Sequence, residues 1–157
     1  MKGRERDVLI SIRGLQRDED GEDQTIELTT TGTLWRDGDT VCLSYVETEM
    51  TGMSGVKTTF RAEENKVVML REGELQSSMT FVEGERNESL YDLGFAAFLL
   101  RVTAKRVRVR IGDGEGKLEL RYSVEMEHRL VANHDYEIEY HPLEKPDTDN
   151  GPKETKE

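Results

Sequence analysis

The feature that most constrains this chain is an alternation of period two that recurs along nearly its whole length. Ile26, Leu28, Thr30, Gly32 and Leu34 alternate with Glu27, Thr29, Thr31 and Thr33. Val41, Leu43 and Tyr45 alternate with Cys42 and Ser44, and Leu118, Leu120, Tyr122, Val124 and Met126 with Glu119, Arg121, Ser123, Glu125 and Glu127. Tyr136, Ile138 and Tyr140 alternate with Glu137 and Glu139. Successive side chains of a strand point to opposite faces, so this pattern marks half-buried antiparallel strands. Turn-forming groups punctuate it at Asp20-Gly21, Arg36 to Asp39, Thr51-Gly52, Glu63 to Asn65, Glu72-Gly73, Glu83-Gly84, Gly112 to Gly116 and Ala132 to His134. The spacing predicts an all-β meander of about nine strands, enough to close into an antiparallel up-and-down barrel and so remove its exposed edges. One segment breaks the pattern: Ser89 to Leu100, SLYDLGFAAFLL, reads as an irregular lid or one helical turn followed by a strand from Ala97, with Gly94 weakening any longer helix.

Composition fits such strands. Of 157 residues, 34% are hydrophobic and 35% charged, as expected when every second strand residue faces water. The length suits one domain. The net charge of −11 argues against a nucleic-acid binder, which must neutralise phosphates, and against an anionic membrane surface. No apolar run approaches the roughly 20 residues of a spanning helix. The stretch Met1 to Asp7 has no apolar core of a secretory signal, so a cytoplasmic setting is expected. Residues 142–157 hold all three prolines and few apolar side chains, the composition of a disordered acidic tail, leaving residues 1–141 as the barrel domain. The tail carries only −2 of the charge, so the acidity belongs to the folded body.

The hairpin around Gly112 carries a register expectation. Val107, Val109 and Ile111 share a face with Leu118, Leu120 and Tyr122, and pairing Ile111 with Leu118 sets Arg110 opposite Glu119. Arg106, Arg108 and Arg110 then form an outward stripe, balanced by Glu119, Glu125 and Glu127.

Motifs with known chemistry are sparse. Asp18 to Asp23 is acidic, but its glycine stands at the wrong position for an EF-hand loop and reads as a hairpin tip. Gly112 to Gly116 is glycine-rich yet joins strands, whereas phosphate loops open a helix. His128 falls on the inward parity of its strand with Met126 and Tyr122 and reads as a partly buried histidine. Cys42, the single cysteine, excludes an intramolecular disulfide and has no cation near it in sequence to activate the thiol. No metal-ligand spacing, cofactor motif or catalytic constellation is present, and the sequence does not set the oligomeric state.

A sharper signal is the polar residues at inward positions. Tyr45 shares parity with Val41 and Leu43, and Glu47 follows on that face. Arg71 shares parity with Val67 and Met69, and Ser77 with Leu75, Met79 and Phe81. A buried arginine requires a partner, and Glu47 is the natural one. Two readings follow. Either these residues anchor the polar end of a ligand in the barrel, or they form an ion pair where the strands end in solvent. In the first, Tyr45, Glu47, Arg71, Ser77, Met79, Phe81 and Tyr122 line the lumen. The alternative function is a structural or protein-interaction module with a packed barrel and no ligand, in which the charged stripes steer association. An enzymatic reading would make Glu47 a base and Arg71 an electrostatic stabiliser.

The order of Tyr45-Val46-Glu47, Thr58-Thr59-Phe60, Leu70-Arg71-Glu72-Gly73, Ser78-Met79-Thr80-Phe81 and Tyr91 to Phe95 resembles the YwiB-like family of small bacterial cytoplasmic proteins of unknown function. The resemblance extends from about Val8 to Tyr140 and rests on several weak motifs in order. It implies a calycin-type, lipocalin-like closed β-barrel with no established activity. Leu93 and Ala96 depart from that family's pattern, so no polar role is carried over to the Tyr91 segment.

Overall fold

Each strand pairs with the next along the chain, and the last pairs with the first. The computed structural model describes residues 3–112 and 114–143. The strands are β1 (Arg6–Asp18), β2 (Asp23–Asp37), β3 (Thr40–Val46), β4 (Lys57–Ala62), β5 (Lys66–Glu72), β6 (Gln76–Val82), β7 (Arg86–Asp92), β8 (Ala97–Ile111), β9 (Gly116–Met126) and β10 (Arg129–Pro142). All neighbours are antiparallel, and β1 with β10 seals the barrel from Val8 opposite Pro142 to Asp18 opposite Ala132. Ten strands close where about nine were expected. Among the described residues a single 3-10 turn, Glu49–Thr51, interrupts them. Residues 144–157, most of the segment read above as a tail, lie outside the described residues.

The alternation fills the interior as expected. Val8, Ile10, Leu43, Phe60, Val67, Met69, Phe81, Leu118, Ile138 and Tyr140 are all buried. Burying each of the larger side chains contributes about 1.5–3 kcal/mol relative to exposure. Strand β3 is buried on both faces: Cys42 is fully enclosed on its outer side, flanked by Trp35 of β2 and Arg61 of β4. The Arg61 guanidinium reaches Cys42 Sγ at 3.4 Å, so the cation absent from the local sequence arrives from the next strand.

Four local expectations are corrected. Ser89 to Leu100 holds no helical turn. It is the end of β7, a bend at 94–95 and the start of β8, whose start at Ala97 was expected. Ala132 to His134 is strand, and the turn falls earlier, at Glu127 and His128. Both of those residues have positive φ, 52° and 65°, a hairpin geometry that glycine usually marks and that here lacks it. His128 is therefore an exposed turn residue, not a partly buried one. Finally, the β8–β9 register puts Ile111 opposite Gly116, Arg110 opposite Lys117 and Arg108 opposite Glu119. The parity was right and the pairing was two residues off. Gly116 permits the closer hairpin: a Cβ there would collide with the Tyr140 ring and with the Arg110 carbonyl.

Three irregularities shape the wall, one of them a register shift in β10 between Leu130 and Ala132. At Lys105 a bulge inserts one residue between the pairs Ala104–Tyr122 and Arg106–Arg121. It resets the alternation, so that Val102 and Ala104 face inward before it, and Val107, Val109 and Ile111 after it. Between β6 and β7 only two residue pairs form, Gln76–Asp92 and Ser77–Tyr91. Beyond them the strands part, and side chains bridge the seam: Ser89 Oγ donates to the Ser78 carbonyl at 2.7 Å and Asn87 Nδ2 to the Thr80 carbonyl at 3.4 Å.

Candidate functional site

One residue from each of five adjacent strands forms a row across the inner wall. Tyr45 stands opposite Thr58, Thr58 opposite Arg71, Arg71 opposite Ser77, and Ser77 opposite Tyr91. The next inward row is Leu43, Phe60, Met69 and Met79, and the one beyond it Val41, Ala62, Val67 and Phe81. A polar rung thus caps two apolar ones, because each strand changes from apolar to polar side chains at the same height.

Glu47 joins this rung from the loop after β3. Its amide donates to the Val56 carbonyl at 2.7 Å and its carbonyl accepts from Gly55 at 3.1 Å, which folds the loop back across the barrel end. Thr48 caps the 3-10 turn through Met50 N–H, and Gly52, at φ 76°, ends it. Gly73 supports the loop from the β5–β6 turn: a Cβ there would lie 3.3 Å from Val56 Cα. The Glu47 carboxylate is 2% exposed and accepts hydroxyls from Thr51 at 2.9 Å and Thr58 at 2.5 Å.

Arg71 meets Glu47 only at the limit of an ion pair, Nε to Oε2 at 4.0 Å. No hydrogen bond reaches its guanidinium among the described residues, and its buried Nε is unpartnered. Ser77 Oγ, directly across the β5–β6 ladder, is also buried without a partner. Burial works against the Arg71 charge, but the oxygens of Tyr136, Tyr122, Glu47 and Tyr45 outweigh it and hold the group charged. Burial, reinforced by Glu47, pushes the Tyr45 hydroxyl well above its ordinary range, and burial does the same for Tyr122.

The opposite wall contributes an aromatic stack. The Tyr122 ring lies 4.6 Å from Phe81 and 4.8 Å from the His134 imidazole, nearly parallel to the latter. Burial, with the Arg71 charge adding to it, lowers His134 to about 4, so it is neutral near pH 7.

The seven expected lumen residues, Tyr45, Glu47, Arg71, Ser77, Met79, Phe81 and Tyr122, are all buried in the barrel. The first four gather at one end. Met79 and Phe81 lie in the rows beneath, and Tyr122 faces them. His134 was missed because Ala132 to His134 resembles a turn, although its parity with Tyr136 and Ile138 places it inside. Thr51 has no signal in the sequence, since only the loop's folding brings it to Glu47. With both oxygens engaged and no open approach, Glu47 is poorly placed to take a proton from a substrate. No cluster of three or more His, Cys, Asp or Glu suited to a metal occurs among the described residues. Five surface clefts, of about 250 to about 630 Å³, include none lined by Arg71 or Ser77, and Tyr45 borders one of them. No helix of the described residues is long and apolar enough to cross a membrane.

Comparison with known proteins agrees with the barrel. The chain is 25% identical over 133 residues to the uncharacterized beta-barrel protein YwiB of Bacillus subtilis (strain 168), covering 85% of this chain and 92% of that one. The crystal structure of the ywiB protein from Bacillus subtilis superposes with a TM-score of 0.79 at 23% identity, over 89% of this chain and 94% of the other, a likeness of fold. The model of a domain of unknown function, DUF1934, matches residues 10–138, and the chain belongs to that family.

Proposed function

We propose that the barrel is a small-molecule binding protein whose ligand places a hydrogen-bond acceptor, such as a carbonyl or carboxylate, against Arg71 and Ser77. The observation that carries this reading is the pair of adjacent buried donors, Arg71 Nε and Ser77 Oγ, with no acceptor between them. Buried polar groups are nearly always hydrogen-bonded, and an unpaired buried charge is costly, so a group that satisfies both donors binds with a large advantage. Glu47 spends its oxygens on two threonines, which leaves the guanidinium fork open to an incoming acceptor. Met69, Met79, Phe81 and Tyr122 offer adaptable apolar surface to the rest of the molecule. On this reading the barrel is lipocalin-like in use. Entry would come through the β6–β7 seam, the least paired stretch of wall beside the rung. A buried cysteine outside any disulfide, Cys42, is in keeping with a cytosolic setting.

A second reading, a packed module that binds other proteins by its outer face, draws on the closed interior and the surface clefts. Native mass spectrometry of protein purified from cells, with a thermal-shift screen of small carboxylates and amides, separates the two. Ligand binding predicts a copurified mass or a raised Tm in the wild type that Arg71→Met abolishes. No mass and no shift across the screen, or shifts unaffected by Arg71→Met, would favour the packed module.

A further inference from the structure

β8 is longer than the wall beside it. Its first half pairs with β7 only as far as Thr103 opposite Arg86. The β6–β7 turn then covers Ala104, with Gly84 N–H donating to its carbonyl and its own N–H donating to Glu85 O. Val107 N–H is taken by the Glu83 carboxylate at 2.9 Å. Beyond that point, no backbone hydrogen bond from the described residues reaches this side of β8. Since ladder bonds alternate, Arg106, Arg108 and Arg110 direct their amides toward β9, and Val109 and Ile111 direct theirs away from it. Val109 and Ile111 therefore form an open strand edge beyond the end of β7.

The side chains on this edge are unusual for so acidic a chain. Lys105, Arg106, Arg108 and Arg110 make no ion pair or hydrogen bond among the described residues. Of the acids expected to balance them, Glu119 stands opposite Arg108 without closing an ion pair, Glu125 stands opposite Arg101, and Glu127 lies in the β9–β10 turn. Arg106 instead stands opposite Arg121, and Arg110 opposite Lys117, like-charge pairs that weaken a ladder. Arg121 and Lys117 are engaged by Asp135 at 2.6 Å and Glu137 at 3.3 Å, so the cations of β8 are left over. On the other face Val107, Val109 and Ile111 are only half-buried.

We propose that this edge receives an extended segment of a partner protein by strand addition, and that the segment alternates acidic and apolar residues. Its backbone would meet Val109 and Ile111, its acids the column Arg106, Arg108 and Arg110, and its apolar residues Val107 and Val109. A second copy of this chain is not the occupant, because pairing β8 with itself sets arginine against arginine.

The test uses the ¹⁵N-labelled full chain and a peptide of alternating glutamate and valine about six residues long, matched to the open edge. Expected are slowed amide exchange at Val109 and Ile111, by roughly tenfold or more, and chemical-shift changes confined to the β8 edge. The matched lysine–valine peptide should give neither. Arg108→Glu with Arg110→Glu should weaken binding by roughly tenfold or more. Val109→Pro should abolish it, since proline removes the outward N–H and is tolerated at an edge. Should that variant fail to fold, the charge reversal alone decides. Unchanged exchange would overturn the proposal, leaving the arginines as guards against self-pairing. So would binding indifferent to charge reversal, dimerisation through β8, or equal protection by a short single-stranded DNA.

Discussion

Arg71 and Ser77 face each other across the β5–β6 ladder, and neither finds an acceptor. The relationship sets a test of stability as well as of binding. Ser77→Ala deletes a buried hydroxyl with no bond to lose, so the ligand-free protein should change by no more than about 0.5 kcal/mol. A satisfied hydroxyl would cost about 1–2 kcal/mol on the same substitution. Urea midpoints of wild type and variant decide, and a loss above 1 kcal/mol would reveal a partner in solution.

Glu47 and Arg71 are long-range but coupled. Glu47→Gln leaves a buried guanidinium without its counter-charge, and Arg71→Met leaves a buried carboxylate supported only by Thr51 and Thr58. Each single substitution should lose about 2–4 kcal/mol. The double variant should lose clearly less than the sum, by about 1 kcal/mol or more. Strict additivity in a double-mutant cycle would show that the 4.0 Å contact carries no energy.

His134 ties stability to pH. It is held neutral down to about 4, while an unfolded histidine protonates near its ordinary value of 6.5. Between those values the unfolded chain binds a proton that the folded one refuses. Stability therefore falls as pH drops from about 6.5 to 4, by about 2–3 kcal/mol. His134→Phe keeps a ring against Tyr122 and should flatten that slope. An NMR titration placing the imidazole near 6.5 would remove the effect.

Gly32 is required by close approach rather than by its φ. A Cβ there would collide with Ile10 Cδ1 and the Ser44 carbonyl. Gly32→Ala should lower stability by about 2–3 kcal/mol. Gly21→Ala serves as the contrast, since its Cβ would meet nothing and its φ of 84° supplies the only strain.

The β6–β7 seam should be the first part of the wall to open. Removing the shorter of its two bridges with Ser89→Ala should speed amide exchange in β6 and β7 while β1 and β10 stay protected. Uniform acceleration across all strands would mean that the seam is not an independent unit.

What the sequence made legible was parity. Alternation placed Tyr45, Arg71, Ser77, Met79 and Phe81 on the inner wall without any coordinates, since each obeys a local rule. Register is a relation between strands, and it was legible only where turns fixed it. Ile111 was paired with Leu118 because both are apolar, whereas the packing of Tyr140 over Gly116 settles the matter from a third strand. His128 and His134 exchanged roles for a related reason: the turn between β9 and β10 is made by two non-glycine residues at positive φ, which composition does not announce. The donors that bridge the seam, Asn87 and Ser89, could not be anticipated, since their role exists only where pairing fails.

The pairing of β1 with β10 has a consequence for how the protein is made. Among the barrel strands Arg6–Asp18 is made before the others, and its partner Arg129–Pro142 comes only after every other strand. Through most of synthesis the nascent sheet therefore presents β1 as a bare margin with half its backbone bonds unmet. The outward arginines Arg13 and Arg17 on that margin are well placed to keep it from seizing a neighbouring nascent chain while it waits.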